Sequence, residues 1–280
     1  MRDSQLLLSS GRTLAYTEIG EPGWPCVFFF HGAPMSRLHL AYLEQDFHAA
    51  KVRVIAADRP GYGGSSPQRG RLMTDWPNDV TTLADVLEID RFAVAGHSSG
   101  GPYAVACAAQ LQDRVSGAVV FGGVTDMAWP EAWRDYLDSE RQIMRLPDEM
   151  TAISWCTERY GADGAGFFTA SDVQFGEPDN ALFADERAGP LLMAALGEGF
   201  RQGVSGYAQD ILIQGRAWAF NPAGIGVAVY VLHGEADTLL PFVHSQHTAE
   251  LIPDSILRVL PGHGHVTTVA ELPALSATLF

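Results

Sequence analysis

The stretch F-A-V-A-G-H-S-S-G at residues 92–100 decides the fold. Its first four residues are continuously apolar, which is typical of a short β-strand buried on both faces. Residues 101–107 are mostly small and apolar, and they predict a helix. Between strand and helix, Gly96 and Gly100 flank Ser98 at the spacing G-x-S-x-G, where a side chain would clash with neighbouring backbone. The stretch therefore predicts a strained strand–turn–helix that presents the Ser98 hydroxyl above the end of the strand.

Strand-like runs alternate with helix-like segments on both sides of this turn, which predicts a mostly parallel sheet flanked by helices. A hairpin is expected around Gly11, with arms at residues 5–9 and 13–17. The other predicted strands are Cys26–Phe30 and residues 52–57, 92–95, 117–121, 227–232 and 256–260. The predicted helices are residues 37–50, 76–89, 100–112, 241–252 and 267–280.

One long interval breaks this alternation. Residues 125–222 contain no convincing strand, and they are rich in helix formers and in large apolar side chains. Such an interval is too long to be a loop. The sequence therefore predicts a core made of residues 1–124 and 223–280, with a helical cap of residues 125–222 inserted into it.

Composition narrows the class of protein. The formal net charge of −15 argues against nucleic acid and anionic membrane surfaces as partners, because both attract cationic proteins. No apolar run approaches the roughly 18 residues of a membrane span. The N-terminus lacks the apolar region of a secretion signal. We therefore expect a soluble, cytoplasmic protein.

Cysteine and histidine patterns give no indication of a bound metal. Cys26, Cys107 and Cys156 are scattered and form no C-x-x-C pair, so neither a disulfide framework nor a zinc site is expected. His263 and His265 form an H-x-H pair, but no further ligand cluster accompanies them. We expect no metal and no cofactor. His244 and His247, three positions apart on a predicted helix, are expected on its solvated face.

Residues suited to covalent catalysis follow several predicted strands. A serine hydroxyl needs a base that an acid orients, and the carboxyl ends of parallel strands meet at one edge of a sheet. Asp237 lies beyond the strand at 227–232, and His263 and His265 lie beyond the strand at 256–260. We therefore expect Ser98, Asp237 and one histidine to meet. Glu235 and Asp126 are alternative candidates for the acid.

These motifs resemble the α/β-hydrolase superfamily. Gly264-His265, followed by Glu271 and Pro273, is similar to its final segment, which favours His265 as the base. H-G-A-P at residues 31–34 and D-R-P-G-Y-G-G-S-S at residues 58–66 resemble two further superfamily loops. The resemblance implies an α/β-hydrolase fold with a mostly parallel eight-stranded sheet. It also implies an oxyanion hole formed by the backbone N–H groups of Ala33 and Ser99.

The resemblance further implies a serine hydrolase that cleaves an ester or similar activated acyl bond of a small, apolar and neutral molecule through an acyl-enzyme. Ser98 is the expected nucleophile, His265 the base and Asp237 the acid that orients it. An apolar substrate pocket is expected from large side chains near the site and in the cap: Met35, Met127, Trp129, Trp133 and Trp155.

Other activities remain open for the same fold. An aminopeptidase or amidase and a C–C bond hydrolase would use the same three residues. A cofactor-free oxygenase would use the histidine and the aspartate, and a ligand receptor would use none of them catalytically. Residues 125–222 hold 16 acidic and seven basic side chains. This excess predicts either a solvated acidic surface or a site entrance that repels anionic substrates.

Overall fold

The computed structural model describes residues 1–280, and its centre is one sheet of eight strands in the order β1-β2-β4-β3-β5-β6-β7-β8. The strands are β1 (Arg2–Leu7), β2 (Thr13–Ile19), β3 (Cys26–Phe30), β4 (Arg53–Ala57), β5 (Phe92–His97), β6 (Val115–Phe121), β7 (Val229–Gly234) and β8 (Ser255–Leu260). β2 runs antiparallel to its neighbours β1 and β4, and every other pairing is parallel. The predicted eight-stranded, mostly parallel sheet is confirmed. The carboxyl ends of β3 and β5–β8 consequently share one edge.

Helices cover both faces of this sheet. They are α1 (Glu44–Ala50), α2 (Trp76–Val86), α3 (Gly101–Gln110), α4 (Asp138–Met144), α5 (Glu149–Tyr160), α6 (Phe167–Ala170), α7 (Glu177–Ala184), α8 (Ala188–Gly199), α9 (Ser205–Gln214), α10 (Phe242–Leu251) and α11 (Leu272–Leu275). The segment predicted as one helix over 267–280 is instead α11 between two 3-10 turns, Thr267–Glu271 and Ser276–Thr278. None of the helices combines the length and apolar character that crossing a lipid bilayer requires.

Apolar side chains fill the space between the sheet and its helices. Phe28 and Phe30 of β3 point into a cluster shared with α2, α3 and α10, whereas Val27 and Phe29 point into a cluster shared with α1, α8 and α11. All residues of β3 are buried, because helices lie on both sides of the strand. Burial on two faces explains the continuous apolar runs from which the strands were predicted.

The interval between β6 and β7 contains α4–α9 and no strand. A third apolar cluster lies among these helices and extends to Tyr62 and Leu240, which belong to loops at the carboxyl edge of the sheet. Leu192 and Leu196 of α8 pack instead in the cluster on the sheet face. The interval thus covers the strand ends and also contributes to the central packing. Its description as a separate cap of residues 125–222 stays a prediction.

Candidate active site

The turn after β5 has the strained geometry that the glycine spacing predicts. Ser98 adopts φ 52°, a left-handed conformation that side chains other than glycine rarely take. A Cβ on Gly96 would lie 2.2 Å from the carbonyl oxygen of Gly100, and a Cβ on Gly100 would lie 2.1 Å from that of Phe30. Only glycine fits at these two positions, so the chain can turn sharply between β5 and α3 with Ser98 at the apex.

Asp237 and His265 form a direct pair beside this turn. His265 Nδ1 lies 2.7 Å from Asp237 Oδ2, and the Asp237 side chain is fully buried. Asp237 Oδ1 accepts hydrogen bonds from the backbone N–H groups of Leu239 and Leu240, at 2.8 and 3.0 Å. These bonds hold the carboxylate in the loop after β7, with its other oxygen facing the imidazole.

The alternative acids, Asp126 and Glu235, and the alternative base, His263, have other hydrogen-bond partners. Asp126 Oδ1 accepts the backbone N–H groups of Ala128 and Trp218. Glu235 accepts the N–H of Gly262 at 3.4 Å, and His263 Nε2 lies 3.4 Å from Glu271. The structure brings Asp237 against His265, and it brings neither Asp126 nor Glu235 there.

The charges of the pair stabilise each other. Burial lowers the pKa of His265, but the charge and hydrogen bond of Asp237 outweigh burial and raise that pKa above its ordinary value of 6.5. Burial raises the pKa of Asp237, and the charge and hydrogen bond of His265 outweigh it and lower that pKa. The carboxylate is therefore ionised near neutral pH, and the imidazole is a stronger base than an isolated histidine.

A second buried carboxylate holds the backbone of the histidine loop. Asp179, in the first turn of α7, accepts the backbone N–H groups of His265 (2.7 Å), Val266 (2.9 Å) and Thr267 (2.9 Å). A Cβ on Gly264 would lie 2.5 Å from the Asp179 carboxyl carbon, so the loop and the carboxylate are in close contact. The negative charge of Asp179 also contributes to the raised pKa of His265. Sequence analysis missed Asp179, because its partners lie 86–88 positions further along the chain.

Arg59 connects the two loops that carry the predicted oxyanion-hole residues Ala33 and Ser99. This buried guanidinium donates from Nη2 to Ser99 Oγ at 2.9 Å, and from Nη1 to the carbonyl oxygen of His31. It also donates to Asp210 of α9, with Nη2 to Oδ2 at 2.7 Å. Ala33 lines the cavity next to Ser98. A single buried cation thus joins the loop after β3, the Ser98 turn and α9.

Asp210 has further donors that hold its charge in place. Arg71 Nη2 lies 2.8 Å and the Tyr103 hydroxyl 2.6 Å from Asp210 Oδ1. Burial raises the pKa of Asp210, but the two arginines outweigh burial and lower it well below its ordinary value. Neither Arg59 nor Asp210 was identified from the sequence, because 151 positions separate them.

Ser98 and His265 line one cavity of about 50 Å³, room for a few water molecules or a short acyl chain. Its wall is mostly apolar, and Glu140 is its only acidic side chain. No lysine or arginine lines it. The lining residues are Gly32, Ala33, Pro34, Met35, His97, Ser98, Tyr136, Leu137, Glu140, Phe167, Phe168, Val173, Phe175, Leu196, Leu239, Leu240, His265 and Val266.

Of the five residues predicted for the pocket, only Met35 lies on this wall. Met127 is buried in the apolar cluster of α4–α9, and the Trp133 indole N–H donates to its carbonyl oxygen. Trp129 stacks on His247, and Trp155 packs edge-on against Tyr160. These side chains are engaged in packing away from the cavity, which Phe167, Phe168 and Phe175 line instead.

Two further histidines, His244 and His97, are buried near the site. His244 is buried, and its Nδ1 accepts the N–H of Thr125 at 3.3 Å, so the prediction of a solvated face was wrong for this residue. α10 packs that face against the chain following β6. The His97 ring lies between those of His39 and His265, and burial lowers its pKa well below 6.5. A neutral imidazole, that of His97, therefore packs against the ring of His265.

Comparison with known proteins agrees with this geometry. A model of the alpha/beta hydrolase family matches residues 27–277. A bifunctional esterase/perhydrolase of Acinetobacter calcoaceticus is 28% identical over 281 residues, covering 93% of this chain and 93% of that protein. A non-heme chloroperoxidase of Burkholderia pyrrocinia is 26% identical over 275 residues, covering 94% of this chain and 93% of that protein.

The fold is shared with a solved esterase from Exiguobacterium antarcticum. That structure superposes with a TM-score of 0.72 at 20% identity, covering 99% of this chain and 98% of the esterase. The family match extends over most of the chain and includes all three strand-end loops described above. It confirms the resemblance found in the sequence motifs: the chain belongs to the alpha/beta hydrolase family.

Proposed function

We propose that this alpha/beta hydrolase is a serine esterase acting on short-chain esters or similarly activated acyl compounds. One observation carries the proposal: His265, paired with a buried Asp237, lines the same cavity as Ser98 at the apex of a strained turn. A nucleophile, a base and an acid that orients the base are the requirements for acyl transfer through a covalent intermediate. The esterase/perhydrolase relative supports the same chemistry.

In the proposed first half-reaction, Ser98 Oγ attacks the carbonyl carbon and transfers its proton to His265 Nε2, since Nδ1 is engaged with Asp237. The negative charge that develops on the carbonyl oxygen is stabilised by the backbone N–H groups of Ala33 and Ser99. Backbone donors suit this role because they are oriented before the charge appears. The tetrahedral intermediate then releases the alcohol, which takes the proton from His265, and the acyl group remains on Ser98.

In the second half-reaction, water attacks the acyl carbonyl carbon and gives a proton to His265. The resulting intermediate expels Ser98 Oγ, which recovers its proton from His265, and the carboxylic acid leaves. We propose that residues 125–222 act as the cap over this reaction, since Tyr136, Glu140 and Phe167 from that interval form part of the cavity wall. The small cavity supports short acyl chains as substrates.

Ser98→Ala tests the assignment of the nucleophile. We expect the variant to lose at least about 10³-fold in kcat/KM on p-nitrophenyl acetate and butanoate, and to lose labelling by a fluorophosphonate. Ser154→Ala, which changes an exposed serine of α5, is the matched control and keeps both properties. Undiminished turnover or labelling of purified Ser98→Ala would refute the proposal.

Perhydrolysis is a second candidate activity, supported by the esterase/perhydrolase and chloroperoxidase relatives. Hydrogen peroxide would take the place of water: one peroxide oxygen attacks the acyl carbonyl carbon, its proton passes to His265, and a peracid leaves as Ser98 is reprotonated. The peracid then oxidises added bromide, which a dye-bromination assay detects. Bromination that equals the enzyme-free rate in the presence of ester and peroxide would exclude this candidate.

A further inference from the structure

Glu140 is a buried carboxylate on the wall of the candidate active site. It lies in the first turn of α4, is only 8% exposed, and lines the cavity together with Ser98 and His265. The Tyr136 hydroxyl donates to its Oε2, and the Tyr207 hydroxyl donates to Oε1 at 3.3 Å. These neutral donors fix the carboxylate without supplying a positive charge, and no lysine or arginine lines the cavity.

A carboxylate in this position is costly unless a cation joins it. Burial raises the pKa of Glu140 to about 7, which reflects the unfavourable charged form. A neutral apolar substrate that filled the cavity would remove the remaining water from the carboxylate and offer no hydrogen bond in return. An ammonium group would supply both a positive charge and donors, while the tyrosines keep the carboxylate in place.

The charges around Glu140 also favour a cation. Asp172 caps the start of α4, accepting the backbone N–H of Asp138 at 2.6 Å and the hydroxyl of Ser139, and its charge adds to that of Glu140. With His265 neutral, the wall contains no cation to attract a substrate carboxylate. The local field therefore opposes anionic substrates and attracts cationic ones.

We propose that Glu140 binds an ammonium group of the substrate, so that the enzyme prefers amino-functional esters to neutral esters of the same shape. This inference rests on the esterase function proposed above and names its substrate class. A charge-assisted hydrogen bond contributes enough to change kcat/KM by about tenfold or more.

Two isosteric substrate pairs test the preference and locate it. Phenyl 3-aminopropanoate and phenyl butanoate differ only by NH3⁺ or CH3 at the end of the acyl chain. 2-(Dimethylammonio)ethyl acetate and 3-methylbutyl acetate differ on the alcohol side, by N–H⁺ or C–H at the branch atom. We expect the ammonium member of one pair to have at least about tenfold higher kcat/KM. The pair that shows the preference identifies which side of the ester faces Glu140.

Glu140→Gln preserves the shape and a hydrogen-bond acceptor but removes the charge. We expect it to lower the ammonium-to-neutral ratio of kcat/KM by at least about tenfold. Asp138→Asn is the matched control, since it removes an exposed carboxylate from the same turn of α4, and it leaves the ratio unchanged. A ratio that Glu140→Gln does not alter overturns the assignment to Glu140.

The pH dependence of the same ratio provides a measurement on the wild-type enzyme. The titratable groups that face Glu140 are Tyr136, Cys156, Tyr160, Asp172, Tyr207 and His265. His265 interacts with Glu140, and its protonated ring repels an ammonium ester more than a neutral one, so loss of its proton raises the ratio as well. The ratio should therefore rise with pH through about 7, as Glu140 loses its proton. The part of the rise that Glu140→Gln abolishes belongs to Glu140.

The outcomes separate the two proposals. If the neutral esters are hydrolysed in a Ser98-dependent reaction but neither ammonium ester is preferred, the ammonium site is refuted and the esterase function stands. If no ester is hydrolysed in a Ser98-dependent manner, both proposals fail. Should Glu140→Gln fold poorly, the wild-type ratio and its pH dependence still decide, and a ratio independent of pH between 5 and 8 contradicts the proposal.

Discussion

Substitution of Asp179 by asparagine is the most informative perturbation of the candidate site, because it alters the support of His265 without touching the substrate cavity. Asp179 accepts three backbone N–H groups of the loop that carries His265, at 2.7, 2.9 and 2.9 Å. In Asp179→Asn the amide oxygen can still accept from Val266 and Thr267. Its NH2 group then faces the N–H of His265, so that one bond is replaced by two opposed donors.

The expected size of the effect follows from these contacts. A hydrogen bond to a charged group contributes about 1.5–3 kcal/mol, and an unpaired buried donor costs about 1–3 kcal/mol. We therefore expect Asp179→Asn to lower the free energy of unfolding by about 2–4 kcal/mol, which corresponds to roughly 3–7 °C in Tm for a chain of this length. Because the charge of Asp179 raises the pKa of His265, that pKa falls in the variant. Displacement of the imidazole should reduce kcat/KM by about 10-fold to 100-fold.

The assay combines thermal unfolding with kcat/KM for phenyl butanoate measured from pH 5 to 9. Glu177→Gln removes an exposed carboxylate two positions earlier on α7, and as the matched control it should leave both measurements unchanged. The acid limb of the Asp179→Asn profile should move to lower pH, a shift that a merely structural defect would not produce. Loss of stability with an unaltered acid limb and kcat/KM would refute the role of Asp179 in positioning His265.

Three further predictions follow from the site. For the wild type, kcat/KM should rise with pH with a midpoint above 6.5, because His265 must be neutral to accept a proton and Asp237 raises the pKa of His265. A midpoint below 6.5 would contradict the pairing of Asp237 with His265. Ser98→Gly should be more stable than Ser98→Ala by about 0.5–1 kcal/mol in urea unfolding, since only glycine accepts φ 52° without strain. Equal stability of the two variants would argue against strain at this position. Arg59→Gln should lower the free energy of unfolding by about 3–5 kcal/mol, because it breaks a buried ion pair. Arg134→Gln breaks an exposed ion pair and should cost less than about 1 kcal/mol. Similar losses of stability in the two variants would refute this difference.

Residues whose signal is local could be placed in the fold from the sequence. The positions of Ser98, Asp237 and His265 each follow a recognisable strand, and a parallel sheet necessarily brings the ends of those strands to one edge. The turn was predictable because the G-x-S-x-G pattern is itself local in the chain, although the Cβ clash avoided at Gly100 is with Phe30 of the neighbouring strand. The fold class was predictable for the same reason, since buried parallel strands leave continuous apolar runs.

Sequence reasoning failed where a side chain's role depends on distant partners. Glu140, Asp179 and Asp210 belong to the 16 acidic side chains of residues 125–222, and all three are buried and hydrogen-bonded. Their partners come from the strand-end loops or from neighbouring helices, which no local pattern reveals. The same limit applies to the pocket, because apolar composition does not show whether Trp133 or Phe167 faces the cavity.

The ion pair between Arg59 and Asp210 has a consequence for the modularity of this chain. Asp210 belongs to the helical interval, while Arg59 holds Ser99 and the carbonyl oxygen of His31 in the part of the chain that surrounds Ser98. If residues 125–222 were exchanged for those of a relative that has no acid at the position of Asp210, the buried guanidinium of Arg59 would lose its ion-pair partner next to the candidate nucleophile. A productive chimera therefore has to transplant both partners of the pair.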